Sequence, residues 1–444
     1  MAKQVAVIGG GWAGCAAALE LTERGCAVTL FEASRTLGGR ARSVEVNGKL
    51  LDNGQHILLG AYSETLRVMK LAGVDMPSAL LNLPLQMRYP DTVSGMDFVA
   101  PRLPAPLHLL VALVRARGLA REDKLALARF STSARWMDWK LYNDCSVSEL
   151  LARFDQTERL TTLMWRPLCL AALNTPPERA SAQVFLNVLR DSLGARAASA
   201  DMLLPRVDLG ALLPQAAGRF VASHGGTVHC GAKVTAIAPA NGRWRVDATG
   251  SAVGGNSSLE VDAVVVACPP PAAAALLCDV PGWTGGDALA AFSYEPITTC
   301  YLLYAPATAL PLPMAALLDD AASGHWGQFV FDRGQLNAAN AGLLAVVVSA
   351  SSEAAALDQA TLAQAIAAQL AAVFQRPELG QPLWQQVVTE KRATFACSPG
   401  LQRPPNATGI PDLVLAGDYT ASDYPATLEA AVRSGALAAR ALAA

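Results

Sequence analysis

Three glycines in one turn carry the clearest chemical signal in this chain. VAVIGGGWAG sets Gly9, Gly11 and Gly14 in a Gly-x-Gly-x-x-Gly pattern. The pattern follows an apolar run, Gln4–Ile8, that reads as a strand. It opens a helical run, Ala13–Arg24, that stops at Gly25. Gly9 permits a tight turn, Gly11 lets the backbone approach a pyrophosphate, and Gly14 lets helix and strand pack closely. The helix N-terminus supplies free N–H groups and a partial positive charge for phosphate. A second strand, Ala27–Phe31, ends at Glu32, placed to accept hydrogen bonds from a ribose 2′-hydroxyl. A carboxylate there disfavours a 2′-phosphate, which leaves NAD or FAD and excludes NADP.

Gly38-Gly39-Arg40 and then Arg42 follow shortly after Glu32. A glycine pair lets the backbone pass close to a ligand, and a guanidinium neutralises a diphosphate. One nucleotide site with an added arginine clamp favours FAD over NAD. At the far end of the chain, LVLAGDYT puts Gly417 and Asp418 after a short apolar strand, Leu413–Ala416. Asp418 is placed for the ribitol hydroxyls or for a phosphate-bound water. The helix that starts after Pro425 and Thr427 points its positive end at the flavin ring. No second Gly-x-Gly-x-x-Gly follows a strand, so the electron donor is external and the sequence does not identify it. No Cys or His lies in 415–428 to form a covalent flavin link, so the FAD is expected to be non-covalent.

The elements that position these motifs are spread over the whole chain. Asn47-Gly48 between Val44–Val46 and Lys49–Leu51 reads as a hairpin. From about Leu83 to Leu204 the chain is helical and punctuated by Pro. Gly226–Ile237, Arg243–Ala248 and Leu259–Ala267 read as strands, with a loop at 250–258. Ser293–Tyr304 and Gly342–Ser349 read as further strands. Asp358–Phe374 reads as an Ala-rich helix, and about Thr427–Ala441 as the last one. Strands of one α/β layer at the start, middle and end predict a discontinuous, Rossmann-like FAD-binding domain with an inserted mixed α+β substrate domain. The expected division is 1–85, 205–280 and 390–444 for FAD, and 86–204 with 281–389 for substrate.

The 444 residues are 52% hydrophobic and 16% charged, with a formal charge of −2. That excludes a disordered chain and a nucleic-acid binder. The nine cysteines form no CxxC, and the five histidines show no metal-ligand spacing, so no metal is expected. Such cysteine usage suits a reduced cytoplasm. Gln4–Leu19 imitates a signal peptide, but glycines break its apolar core and only Lys3 precedes it, so export is not expected.

The N-terminal VIGGGWAG…LFEAS…LGGRARS, the segment DNGQHILLGAYSETL at 52–66 and the C-terminal LAGDYTASDYPATLEAAVRSG at 415–435 resemble the amine-oxidase/phytoene-desaturase class of flavoproteins. The middle segment is most similar to the squalene-associated branch, the hydroxysqualene dehydroxylases of bacterial hopanoid synthesis. The resemblance implies FAD and an all-carbon C30 isoprenoid substrate, with other squalene-pathway enzymes as neighbours. It places Gly9, Gly11, Ala13, Gly14, Glu32, Ala33, Gly39 and Arg40 at the adenosine and diphosphate. Gly54, Gln55 and His56 would lie against the isoalloxazine, Val234 at the adenine, and Gly417, Asp418 and Leu428 at the ribitol and ring. Ala430 stands where plant-type desaturases carry glycine.

The expected reaction is reductive loss of a hydroxyl, which needs a proton donor. His56 and Asp52 are the titratable side chains of the flavin-facing loop and are the nominees. His56 would serve equally to hold the loop on the flavin, and Asp52 to cap a turn. A carotenoid desaturase is the alternative, the same fold run oxidatively. An amine oxidase ranks lower, because Thr394–Pro411 offers only Phe395 toward an aromatic cage.

LPAPLHLLVALV at 103–114 is largely apolar and too short to span a bilayer. Arg115, Arg117, Arg121 and Lys124 follow, and Pro104 and Pro106 set a helix start near Leu107. The segment 103–124 reads either as an interfacial element on the inner face of the cytoplasmic membrane or as a buried core helix.

Overall fold

The glycine turn sits at the centre of a five-stranded parallel sheet. In a computed structural model, which describes residues 2–91, 93–194 and 196–443, the strand order is Thr227–Cys230, Ala27–Glu32, Gln4–Ile8, Ala263–Val266, Leu413–Leu415. The sheet therefore gathers three distant stretches of chain. Its central strands are apolar on both faces, as a parallel sheet covered by helices requires. Helix Trp12–Glu23 covers one face and packs against the last helix, Leu428–Leu442. The two helices approach closely because a Cβ on Gly435 would collide with the Ala13 carbonyl.

A second five-stranded sheet is antiparallel, in the order Met314–Ala316, Phe329–Asp332, Leu343–Ser349, Tyr294–Leu303, Trp384–Phe395. Helix Gln359–Val373 buries Leu362, Ile366 and Leu370 in the apolar cluster on one side of this sheet. A further helical region lies between Leu107 and Leu189. We propose a division into a flavin layer and a substrate layer along these two sheets. The strand Trp384–Phe395 runs through residue 390 and would link them.

Three readings from the sequence change. Gly226–Ile237 is not one strand. It breaks at Gly231, whose φ is +77°, into Thr227–Cys230 in the parallel sheet and Lys233–Ala240 in a three-stranded antiparallel sheet. Leu259–Ala267 likewise breaks at Asp262, which accepts from the Gln4 N–H and pairs with Arg243 as the chain changes sheet. Residues 250–258, expected as a loop, hold a short 3₁₀ turn and the start of strand Gly255–Val261.

Candidate active site

The glycine turn has the shape its chemistry demands. Gly9 has φ +109°, and a Cβ there would stand 2.7 Å from the Ala267 carbonyl oxygen. A Cβ on Gly14 would run into the Gly9 carbonyl, so helix and strand could not close. A Cβ on Gly11 would touch Gly39 Cα at 3.9 Å, and one on Gly39 would press on Gly11 Cα at 3.1 Å. The two glycines thus bring their backbones close together, and both line the cavity. No side chain caps the N-terminus of helix Trp12–Glu23, so its first N–H groups stay free for an anion.

Glu32 is buried, and both its oxygens are occupied. Oε2 accepts from Gly10 N–H and Oε1 from Ser34 N–H, each at 2.7 Å. Each oxygen retains a second lone pair, so the carboxylate holds the turn and still presents an acceptor to the cavity it lines.

The N- and C-terminal motifs meet at Arg40. Its Nη2 donates to Asp418 Oδ1 at 2.6 Å, and its Nη1 donates to the Ala393 carbonyl at 2.8 Å. Gly417 N–H is held by Ser434 Oγ of the last helix. Thr427 caps that helix through the Ala430 N–H, and Leu428 and Ala431 bring its first turn to the cavity wall.

The loop at 52–57 divides its side chains. Gly54, Gln55 and His56 line the cavity. His56 Nδ1 lies 2.8 Å from the Gly54 carbonyl. A carbonyl only accepts, so Nδ1 carries the proton and Nε2 the lone pair. Burial lowers the imidazole pKa, the Gly54 bond opposes this, and the Arg40 cation adds to the lowering. Asp52, nominated beside His56, does not line the cavity. It is 2% exposed, takes the Leu209 N–H at 2.8 Å and lies 3.4 Å from Arg333 Nη2. Burial pushes its carboxyl up to about 6, against the pull of Arg333 and the Leu209 N–H, with Asp208 adding to the rise. Strand alternation turns Asp52 toward Arg333 while the following loop faces the cavity.

Every other predicted cofactor residue except Gly14 lines one continuous cavity: Gly9, Gly11, Ala13, Glu32, Ala33, Gly39, Arg40, Val234, Gly417, Asp418 and Leu428. Gly14 serves packing instead. The cavity measures about 1180 Å³, above the roughly 300–1,000 Å³ usual for one small ligand. Beyond the dinucleotide end its wall turns apolar, with Met87, Leu109, Leu113, Met164, Trp165 and Phe329.

Sequence reasoning missed several polar groups on this wall, Tyr62, Asp191 and Tyr424 among them. Tyr424 Oη donates to Asp191 Oδ2 at 2.7 Å, and Arg190 pairs with the same carboxylate. Burial raises Asp191, but the bonds from Arg190 and Tyr424 outweigh it and hold the carboxyl below its ordinary value. Burial and the Asp191 bond push Tyr424 up to about 12. Tyr424 sat inside the quoted C-terminal segment, but no spacing rule ties it to residue 191.

Residues 12–443 match the family described as flavin containing amine oxidoreductase. The chain belongs to that family. A hydroxysqualene dehydroxylase of Rhodopseudomonas palustris is 30% identical over 98% of this chain and 97% of its own length. A probable zeta-carotene desaturase of Synechococcus elongatus is 23% identical over 99% of this chain and 98% of its own. Among solved structures, cyclohexylamine oxidase of Brevibacterium oxydans shares the fold with a TM-score of 0.69. It is 18% identical and covers 100% of this chain and 99% of that one. The chain is an FAD-dependent oxidoreductase. Its residues fit that cofactor: Gly11 and Gly39 present bare backbone to the cavity beside an uncapped helix N-terminus, and Gln55 Nε2 is buried on the cavity wall with no partner among the described residues.

Proposed function

We propose that this chain reductively removes the hydroxyl of hydroxysqualene to give squalene, in bacterial squalene and hopanoid synthesis. The observation that carries the reading is the cavity wall. A large apolar chamber continuous with the dinucleotide cradle suits a C30 hydrocarbon chain with one polar group. The R. palustris relative, named for this reaction and matched nearly end to end, supports it.

In balance, the substrate carbon loses hydroxide and gains hydride, and the hydroxide takes one proton to leave as water. Bound and reduced, the flavin supplies the hydride. The chain orients the hydroxyl-bearing carbon, excludes bulk water and manages the proton. We assign the proton to His56, which lines the cavity. Its neutral imidazole has a free Nε2 that must be charged before it can donate. Asp52 does not line the cavity and stands behind Arg333, which holds Gln55.

A second reading is desaturation of a carotene, favoured by the S. elongatus relative. The same wall would then serve the opposite redox sense. Dithionite-reduced protein under anaerobic conditions separates the two. Mixed with hydroxysqualene it should yield squalene and recover the oxidised flavin spectrum. Oxidised protein that turns over phytoene, with hydroxysqualene untouched by the reduced form, moves the function to desaturation.

We further propose that residues 103–124 rest on the inner face of the cytoplasmic membrane, where such a substrate dissolves. Helix Leu107–Arg115 has two faces. Leu109 and Leu113 line the cavity, whereas Leu107 and Val114 are 50% and 68% exposed. Arg115, Arg117 and Arg121 are exposed beside it. No helix among the described residues is long and apolar enough to cross a membrane.

A further inference from the structure

Gln55 presents an anomaly. Its Nε2 is buried without a partner among the described residues, whereas its Oε1 is taken by Arg333 Nη1 at 3.0 Å. A buried amide N–H₂ left unpaired is costly, so such a group marks a place where an acceptor binds.

The orientation of that amide is decided by its neighbour. A guanidinium has donors only. It therefore takes the amide oxygen and leaves the –NH₂ without a partner among the described residues, behind the cavity wall that Gln55 helps to form. Arg333 is itself fixed, being 6% exposed. It stands in the turn that follows strand Phe329–Asp332 of the antiparallel sheet. Asp332 pins this turn by accepting from the N–H groups of Leu310, Gly334 and Gln335. The second guanidinium nitrogen faces Asp52 Oδ2, and Asp52 Oδ1 takes the Leu209 N–H. The Asp52 backbone carbonyl accepts from Tyr301 Oη at 2.8 Å. The cation is thus balanced by a carboxylate on its far side, and the amide stays neutral with its N–H bonds polarised outward.

We propose that Arg333 is a positioning residue that fixes Gln55 as a hydrogen-bond donor to the bound flavin. The acceptor is a flavin carbonyl oxygen or an unprotonated ring nitrogen. The inference rests on FAD as the cofactor and on nothing about the substrate. Through it the antiparallel sheet bears on the cofactor of the parallel one by way of the Arg333–Gln55 contact.

Gln55→Glu is the decisive variant. It keeps the shape and the Arg333 partner and removes the donor; the negative charge it adds is controlled by Gln55→Leu, which removes the donor without one. Titration of apoprotein with FAD should show a roughly three- to tenfold weaker complex, the worth of one hydrogen bond. The visible absorption and the carbonyl stretches of oxidised flavin should shift. Gln55→Leu should give the same shifts. The pair Arg333→Met with Asp52→Asn, which avoids a lone buried charge, should reproduce part of them. Adding Gln55→Leu to that pair should then change little further, and Arg333→Lys should restore the wild-type spectrum in part. Unchanged affinity and spectrum in Gln55→Glu would overturn the proposal. So would strictly additive effects of the Arg333 and Gln55 changes, which would leave Arg333 merely structural. Wild-type apoprotein that takes up no FAD would instead overturn the cofactor reading, a result separable from both.

Discussion

Arg40 and Asp418 are 378 residues apart in the chain and 2.6 Å apart in space. This ion pair ties the loop after the first βαβ unit to the turn after the last parallel strand, and both residues line the cavity. Asp418→Asn should leave Arg40 with the Ala393 carbonyl and only the more distant Glu390 as an anion. We expect FAD to bind more weakly by about 1–3 kcal/mol, roughly five- to a hundredfold, since a charge-assisted bond in a partly buried site is lost. Fluorescence titration with free FAD checks this. An unaltered dissociation constant would show that the pair only joins the two motifs.

Glu32 makes a different prediction from the one its sequence position implies. Because its oxygens hold the Gly10 N–H of the glycine turn and the Ser34 N–H of the loop after its strand, Glu32→Ala should loosen the apoprotein as well as the complex. The buried Gly10 N–H loses its partner at about 1–3 kcal/mol where water cannot replace it, and the half-buried Ser34 N–H loses its own at a smaller cost. Thermal melts with and without FAD separate the roles. A melting temperature lowered only in the presence of FAD would mean that the carboxylate serves the ribose alone.

The parts of the site that are local in sequence were legible. Gly9 through Gly14, Glu32 and Gly39-Arg40 are set by short spacings in which each residue type has one physical job. The hairpin at Asn47-Gly48 was legible for the same reason: both residues take positive φ, +51° and +73°. What stayed hidden depends on chain segments meeting at long range. Arg333 reaches Gln55 across 278 positions, and Tyr424 reaches Asp191 across 233. No periodicity records such pairs. The 12-residue strand Trp384–Phe395 was missed because WQQVVTEKRATF does not alternate cleanly between apolar and polar. Asp52 was assigned a chemical role because it adjoins the loop, whereas alternation along its strand sends the carboxylate the other way.

Asp52 also makes stability depend on pH. Its folded pKa, about 6, lies above the ordinary carboxylate value because burial disfavours the charge. The folded state therefore holds this proton more tightly than the unfolded chain does. The contribution to stability is fully present below about pH 4 and is lost as pH rises through about 6, on the order of 2–3 kcal/mol at most. Asp52→Asn cannot titrate. The unfolding free energy of wild type relative to this variant should fall between pH 4.5 and pH 7 in urea melts. A difference that stays flat over that interval would mean that Arg333 and the Leu209 N–H fully offset the burial.

The last prediction concerns helix Leu107–Arg115, whose two faces make opposite demands. Leu107 and Val114 point away from the cavity and are half or more exposed, while Leu113 lines it. An acyl environment would take up the outer pair at about 1.5 kcal/mol or more per side chain. Leu107→Asp with Val114→Asp should therefore lower partitioning onto anionic vesicles on the order of a hundredfold, with flavin content and melting temperature unchanged. Because Arg115, Arg117 and Arg121 lie alongside, partitioning of the wild type should also fall in neutral vesicles and at high salt. Leu113→Asp should behave otherwise, leaving vesicle binding intact while weakening the hold on an apolar substrate. Vesicle co-sedimentation of the three proteins reads all of this directly. If the outer pair co-sediments like wild type, the exposed face does not dock on lipid. If it sheds its flavin instead, the helix belongs to the core on both sides.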